Sequence, residues 1–381
     1  MMTAALQPKV LIMAGGTGGH VFPALTIAQE LLARGSQVEW LGTRAGIEVR
    51  VIGNTDIPLH FISVAGLRGK SLLRKLLAPF MMLTAVLQAL LLIRRVNPAC
   101  VLGMGGYVTG PGGLAARMLG KKLVIHEQNA VAGMANAMLF PFAHVAMEGF
   151  PGAFARKLGK SALMRGTVAR KKIVPVGNPV RADILAIAAP EERLAGRSGP
   201  LRLLVVGGSL GASIFNEVIP AVLAGMPAAE RPVVCHQCGR GKLVDTLKRY
   251  ADNQLSVGAE VQVSEFIDNM AEAYTWADIV VCRAGASTLA ELAAIGLPAV
   301  LVPYPFSADD HQAVNAEALA RVGAATVISQ RVLTSESLRA AIHRLGSDRH
   351  NLLQQALVTR KAGIRDASTK AAHLCLEACH G

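Results

Sequence analysis

A strand-like run that ends in a glycine-rich turn and opens a helix occurs twice in this chain. The first copy reads VLIMAGGTGGH (residues 10–20) and the second LLVVGGSLGAS (203–213), so Gly15 and Gly207 begin equivalent turns half a chain apart. Alternating strand-like and helical stretches follow each copy. Strand-like runs recur near 37–41, 58–64, 100–102, 122–125 and 143–147, and again near 232–236, 260–263, 278–282, 299–303 and 325–328. This pattern predicts an α/β chain of two Rossmann-like, doubly wound domains facing across a cleft, the default place for chemistry. The 381 residues suit that count. Residues 1–177 read as the first domain, 178–183 as the linker and 184–355 as the second domain. Residues 356–381 read as a C-terminal helix returning towards the first domain.

Glycines in such a turn let the backbone approach a ligand, and the helix that follows aims N–H groups and a positive dipole at it. Tight helix–strand packing alone is the plainer explanation of one such turn. Two in register, each with a hydroxyl (Thr17, Ser209), favour anion binding. A dinucleotide fingerprint fits poorly, because the third glycine of G-x-G-x-x-G is replaced by Val21 and Glu39 is a lone acid at a strand end. No G-K-[ST] is present, which excludes a P-loop.

The net charge of +13 is concentrated. Between Phe61 and Ala182 lie 17 Lys/Arg against 2 Asp/Glu, while the rest of the chain is close to neutral. Such a field calls for an anionic partner. Aromatic residues make up only 4%, which argues against a base-stacking nucleic-acid binder. Within the basic region, Leu76–Ile93 runs 18 residues without a charge. It is long enough to reach across a bilayer, but the strand-like runs on either side belong to one parallel sheet, and a span would separate them. The expectation is a partly buried helix whose first turns lie in the membrane interface. Leu72, Leu73, Leu76, Leu77 and Phe80 would anchor it, with Arg74 and Lys75 beside anionic headgroups. The plain alternative is a core helix with a solvated basic end.

The six cysteines are scattered, so a reducing compartment is expected rather than a disulfide framework. Cys235-His-Gln-Cys238 has no second pair to complete a zinc site. Cys375 and Cys379, beside His373 and His380, read as ordinary helix-face residues. The first residues lack a basic stretch with a cleavage site after it, so no signal peptide is expected.

Residues 277–303, ADIVVCRAGASTLAELAAIGLPAVLVP, hold the densest constellation. A strand to Cys282 meets the turn Arg283–Thr288, which opens a helix carrying Glu291. Ser287, Thr288 and their amides suit a diphosphate, and Glu291 one turn on suits the two hydroxyls of a ribose. The alternatives are an acid that merely complements the helix dipole and, for Arg283, a solvated cation at a strand end.

GGTGGHVFPAL, LRGK, GMGGYVTGPGG, HEQNAVAGMAN, VGNPVR, GGSLGA, EFIDNM and CRAGASTLAEL together resemble a bacterial family in its own motif order. It is the family of peripheral-membrane N-acetylglucosaminyltransferases of peptidoglycan synthesis. The resemblance runs from about residue 9 to the C-terminal helix. It implies a two-domain glycosyltransferase-B fold. The implied reaction moves GlcNAc from UDP-GlcNAc, with inversion, to the 4-hydroxyl of undecaprenyl-diphospho-MurNAc-pentapeptide (lipid I), forming lipid II. The implied partners are these substrates, an anionic membrane surface and other cell-wall synthesis or division proteins. The implied location is the cytoplasmic face of the bacterial inner membrane. No permanently bound cofactor and no metal are expected: Asp309 and Asp310 are adjacent in a loop and make no DxD motif.

Inversion needs a base for the acceptor proton and donors for the leaving diphosphate. The resemblance places Ser209, with the turn Gly207–Gly211, and Arg181 on the leaving group. It places Ile267 on uracil, Ala286, Ser287, Thr288, Leu289 and Ala290 along the nucleotide, Glu291 on ribose and Gln312 on the GlcNAc hydroxyls. Thr17, Gly18 and Gly19 lie where donor sugar and acceptor meet, and Asn129 contacts the sugar or acceptor. Gly105, Gly106 and Tyr107 face the acceptor diphosphate, and Asn136 the acceptor. The base is His20 or Glu127. At a helix N-terminus His20 is expected to stay neutral and able to take a proton, unless it only caps the helix.

Two departures stand out. Leu210 replaces the glutamine usual in the family's second glycine turn, and the basic segment Arg156–Lys172 is longer than the family pattern. Two other functions fit parts of the pattern. A UDP-GlcNAc epimerase on the same fold would need no lipid acceptor, and a nucleotide-sugar sensor would not need His20 or Glu127.

Overall fold

The computed structural model describes residues 7–64, 78–159, 172–208 and 211–380. The chain divides into two units, Met1–Arg181 with Asp366–Gly381, and Ala182–Arg365.

The first unit carries β1 (Lys9–Met13), β2 (Gln37–Gly42), β3 (Leu59–Phe61), β4 (Cys100–Gly103), β5 (Lys122–Glu127), β6 (Val145–Glu148) and β7 (Lys172–Pro175). Their order is β3-β2-β1-β4-β5-β6-β7, and every pairing is parallel. Val10–Met13 are fully buried because both faces of the sheet are covered. Alternation sends Val10 and Ile12 to one core and Leu11 and Met13 to the other. The first core is completed by Ala371, Ala372 and Cys375 of the helix Ala367–His380. The second takes Ala85, Ala89 and Ile93 of the helix Ala78–Val96.

That helix is long and apolar enough to cross a membrane by length and composition. It is nevertheless the crossover from β3 to β4, and both strands lie in one sheet. A strand absent from the sequence expectation, β7, pairs with β6 at the sheet edge. Val176, Asn178 and Val180 are buried, and the boundary falls after Arg181.

The second unit carries β8 (Arg202–Val206), β9 (Val233–Gln237), β10 (Val261–Ser264), β11 (Ile279–Cys282), β12 (Ala299–Leu301) and β13 (Thr326–Val327), ordered β10-β9-β8-β11-β12-β13. Both sheets therefore reverse direction beside their first strand, between β1 and β4 and between β8 and β11. Loops at the carboxyl ends there diverge and leave room for ligands. Both glycine turns sit at those points.

The core of the second unit holds a polar triad. His236 Nδ1 lies 2.9 Å from the Tyr250 hydroxyl and Nε2 lies 3.1 Å from Asn216 Oδ1. Burial pushes His236 down to about 4. The folded state thus refuses a proton that the unfolded chain takes up near pH 6.5, so stability is complete above pH 6.5 and is lost as pH falls towards 4. The loss should be about 3 kcal/mol between pH 7 and pH 4. Urea denaturation at the two pH values should show that His236→Gln removes most of this dependence.

Candidate functional site

In the first unit the turn after β1 meets the loop after β4. Met104 N–H donates to Met13 O at 2.9 Å, and Thr109 Oγ1 donates to Met13 O and Gly105 O. Gly106, at φ +82°, lies so close to Gly15 O that a Cβ would collide with it, and only glycine fits there. A Cβ on Gly105 would come within 2.9 Å of the His20 ring. Tyr107 stands beside Gly16 with half of its surface exposed. The structure thus gathers Thr17, His20, Gly105, Gly106 and Tyr107 at the switch point.

His20 is the third residue of the helix Gly18–Ala33, and Thr17 is its N-cap. Thr17 makes no side-chain cap; its Oγ1 lies 3.1 Å from His20 Nδ1 instead. The Nε2 edge of the ring lies on the Gly105 side.

Glu127 ends β5 and is buried. Oε1 accepts from Asn129 N at 2.9 Å and Asn129 Nδ2 at 3.2 Å, while Oε2 accepts from Gly133 N and Asn136 Nδ2, both at 2.9 Å. Four donors on one carboxylate make it the clamp of the loop 128–136. Asn136, which the resemblance places on the acceptor, is buried, with Nδ2 shared between His126 O and Glu127. His126 donates from Nε2 to Gly177 O at 2.9 Å; burial holds it below the usual imidazole value, against that hydrogen bond and the Glu127 charge. Arg181, half-buried at the end of this unit, has its guanidinium 6.0 Å from the Phe22 ring.

In the second unit Gln237 pins the glycine turn. Its Oε1 accepts from Gly207 N at 3.1 Å, and its Nε2 donates to Gly208 O at 2.8 Å and Glu265 O at 3.2 Å. Ser209 and Leu210 lie outside the described residues, as do Leu72–Leu77 and most of the basic segment 156–172. The helix Ala286–Ile295 begins after Gly285 without a side-chain cap, an end of the kind whose amides suit an anion. Leu289 is fully buried and can offer only its backbone, whereas Ala290 is half-buried. Glu291 lies in the second turn, where the buried Tyr274 hydroxyl donates to its Oε2 at 3.0 Å. A dipole-complementing acid would sit a turn earlier.

Arg283 is not a solvated cation either. It lies 5.1 Å from the Phe215 ring and 5.4 Å from the Tyr304 ring, donates to Val302 O at 3.0 Å, and is held below the usual guanidinium value by burial. Gln312 Oε1 accepts from Tyr304 N at 2.9 Å, which leaves its amide nitrogen to donate. Ile267 is half-buried in the loop after β10. Among the described residues no cluster of three His, Cys, Asp or Glu could hold a metal.

Sequence reasoning missed Tyr274, Gln237 as a turn pin, and Glu48, which bonds Gly16 N. Only Gln237 had a signal, its place in the Cys235–Cys238 stretch that had been read for metal.

The two candidate bases differ in how they are held. Glu127→Ala strips partners from four donors and should cost about 3 kcal/mol or more of unfolding free energy. His20→Ala removes a partly exposed ring beside Thr17 and should cost about 1 kcal/mol or less. Urea denaturation of the two variants checks this.

Residues 10–147 match the glycosyltransferase family 28 N-terminal domain and residues 202–371 the family 28 C-terminal domain. A Marinobacter nauticus protein is 48% identical over 380 residues, covering 100% of both chains. One from Pseudomonas syringae pv. tomato is 49% identical over 376 residues, 99% of this chain and all of its own. Both are called UDP-N-acetylglucosamine–N-acetylmuramyl-(pentapeptide) pyrophosphoryl-undecaprenol N-acetylglucosamine transferase. The crystal structure of Acinetobacter baumannii MurG is 39% identical with a TM-score of 0.80, covering 97% of this chain and 99% of that one. A calicheamicin glycosyltransferase, at 16% identity, TM-score 0.65 and 98% of both chains, is alike in fold alone.

Proposed function

This chain belongs to glycosyltransferase family 28, and we infer from that membership that it moves GlcNAc from UDP-GlcNAc to the 4-hydroxyl of lipid I, forming lipid II for peptidoglycan. The observation that carries this reading is full-length identity of 48–49% to relatives so named.

The reaction is one in-line displacement. A base takes the acceptor hydroxyl proton, the oxygen bonds to the anomeric carbon, and the bond to UDP breaks with its electron pair leaving on the diphosphate. His20 is the base in this proposal. Its ring faces the loop Gly105–Tyr107 assigned to the acceptor, and its Nδ1 lies 3.1 Å from the Thr17 hydroxyl. Glu127 is a positioning residue in it, because all its bonding capacity is used on the loop that carries Asn129. Departing negative charge meets N–H groups of the second-unit turns, Ser209 and Arg181. Glu291, set by Tyr274, takes the ribose hydroxyls. Gln312 donates to GlcNAc, Ile267 lies against uracil, and Ala286–Ala290 line the nucleotide.

An acceptor-dependent assay of UDP release tests the reading. Wild type should turn over only with a lipid I analogue present, and His20→Ala should lose about 10²–10⁴-fold in kcat. UDP-GlcNAc conversion without acceptor would favour the epimerase, and unchanged turnover in His20→Ala would remove the base.

For the membrane we propose a peripheral contact through the outer face of the helix Ala78–Val96. Phe80, Leu83, Leu87 and Leu91 are exposed at helical spacing, opposite buried Ala85, Ala89 and Ile93. The neighbouring helix Thr109–Met118 adds exposed Leu114 and Met118, and exposed Arg94, Arg95 and Arg117 lie on the same two helices. Apolar side chains with cationic neighbours suit an anionic bilayer surface, here the cytoplasmic face of the inner membrane. Phe80→Glu with Leu87→Glu should reduce co-sedimentation with anionic vesicles at least tenfold and leave the melting temperature nearly unchanged. Unaltered sedimentation would refute the contact.

A further inference from the structure

Glu48 is fully buried beneath the first glycine turn. Its Oε1 accepts from Thr43 N and Thr43 Oγ1, both at 2.8 Å, and its Oε2 accepts from Gly16 N at 3.2 Å. Three glycines make room for it. A Cβ on Gly15 would come within 2.7 Å of its carboxylate, one on Gly42 within 2.6 Å of its Cγ, and one on Gly46 would collide with the carboxylate. The side chain is therefore built into the turn that presents Thr17 and His20.

One buried side chain thus bridges the Gly16 amide and Thr43, and the turn cannot shift without breaking those bonds. In the second unit the turn is also held from beneath, one residue earlier in the motif, where Gln237 takes the Gly207 amide.

We propose that Glu48 is a positioning residue of the transfer reaction: it ties the first glycine turn to Thr43 from beneath and so sets the place of Thr17 and His20. The proposal rests on the assignment of His20 as base. Glutamine is the informative substitution, because it keeps the volume but turns one acceptor into a donor facing an N–H group. Its orientation would leave either Gly16 or Thr43 opposed.

The test is a double-mutant cycle on the full-length enzyme with UDP-GlcNAc and a lipid I analogue, reading kcat and KM for Glu48→Gln, His20→Ala and the pair. Glu48→Gln should lower kcat roughly ten- to a hundredfold, the scale of a displaced catalytic group, with KM for UDP-GlcNAc within about twofold. On the His20→Ala background it should cost less than about twofold more, because both changes disable one device. Glu48→Asp, which keeps the charge, should recover part of kcat, and it carries the same cycle if the glutamine variant does not fold. Losses that multiply in the pair would overturn the proposal. So would wild-type kcat in Glu48→Gln beside an impaired His20→Ala. Wild-type kcat in His20→Ala would instead overturn the assignment of the base.

Discussion

Buried main-chain N–H groups must find partners, and in parallel sheets the demand is greatest where strands end and chain turns back over the sheet edge. Side chains meet that demand here. Glu48 takes Gly16 N, Glu127 takes Asn129 N and Gly133 N, Glu148 takes Gly152 N and Phe154 N, and Gln237 takes Gly207 N. Each sits at or near the carboxyl edge of its sheet and holds a loop from inside. Glu127 and Glu148 are direct partners in the β5–β6 register, so one clamp braces the next. The placement of His20, Asn129 and Tyr107 follows from loops that are fixed from within rather than from a rigid surface.

The choice of acceptor separates two copies of one motif. Both units reverse strand order at the same place and both open a helix with glycines. A carboxylate from helical chain after β2 holds one turn, and an amide at the end of β9 holds the other.

The architecture was legible because hydrophobic runs and glycine turns repeat at sheet spacing. Only the edge strand β7 escaped, beside a basic stretch that gives little periodicity. The site was legible where a residue lies in a turn quoted from the sequence: His20 and Gly105 meet, and Glu291 is presented from its helix. It was illegible where chemistry depends on partners distant in sequence. A carboxylate in HEQN can be a base or a clamp, and only Gly133 and Asn136 folding back onto Glu127 settles its bonding. Tyr274 gives no hint of Glu291, and Arg283 reads as a surface cation until Phe215 and Tyr304 enclose it.

The core of the first unit contains Ala371, Ala372 and Cys375, from a helix synthesised after the whole second unit. On the ribosome the first 181 residues emerge with one of their two cores lacking its last members, while Ala182–Arg365 has its own core in a continuous stretch. The order of completion is therefore the reverse of the order of synthesis. The helix Gly18–Ala33 covers part of that sheet face at once, and the remainder is closed only when residues 367–380 leave the exit tunnel.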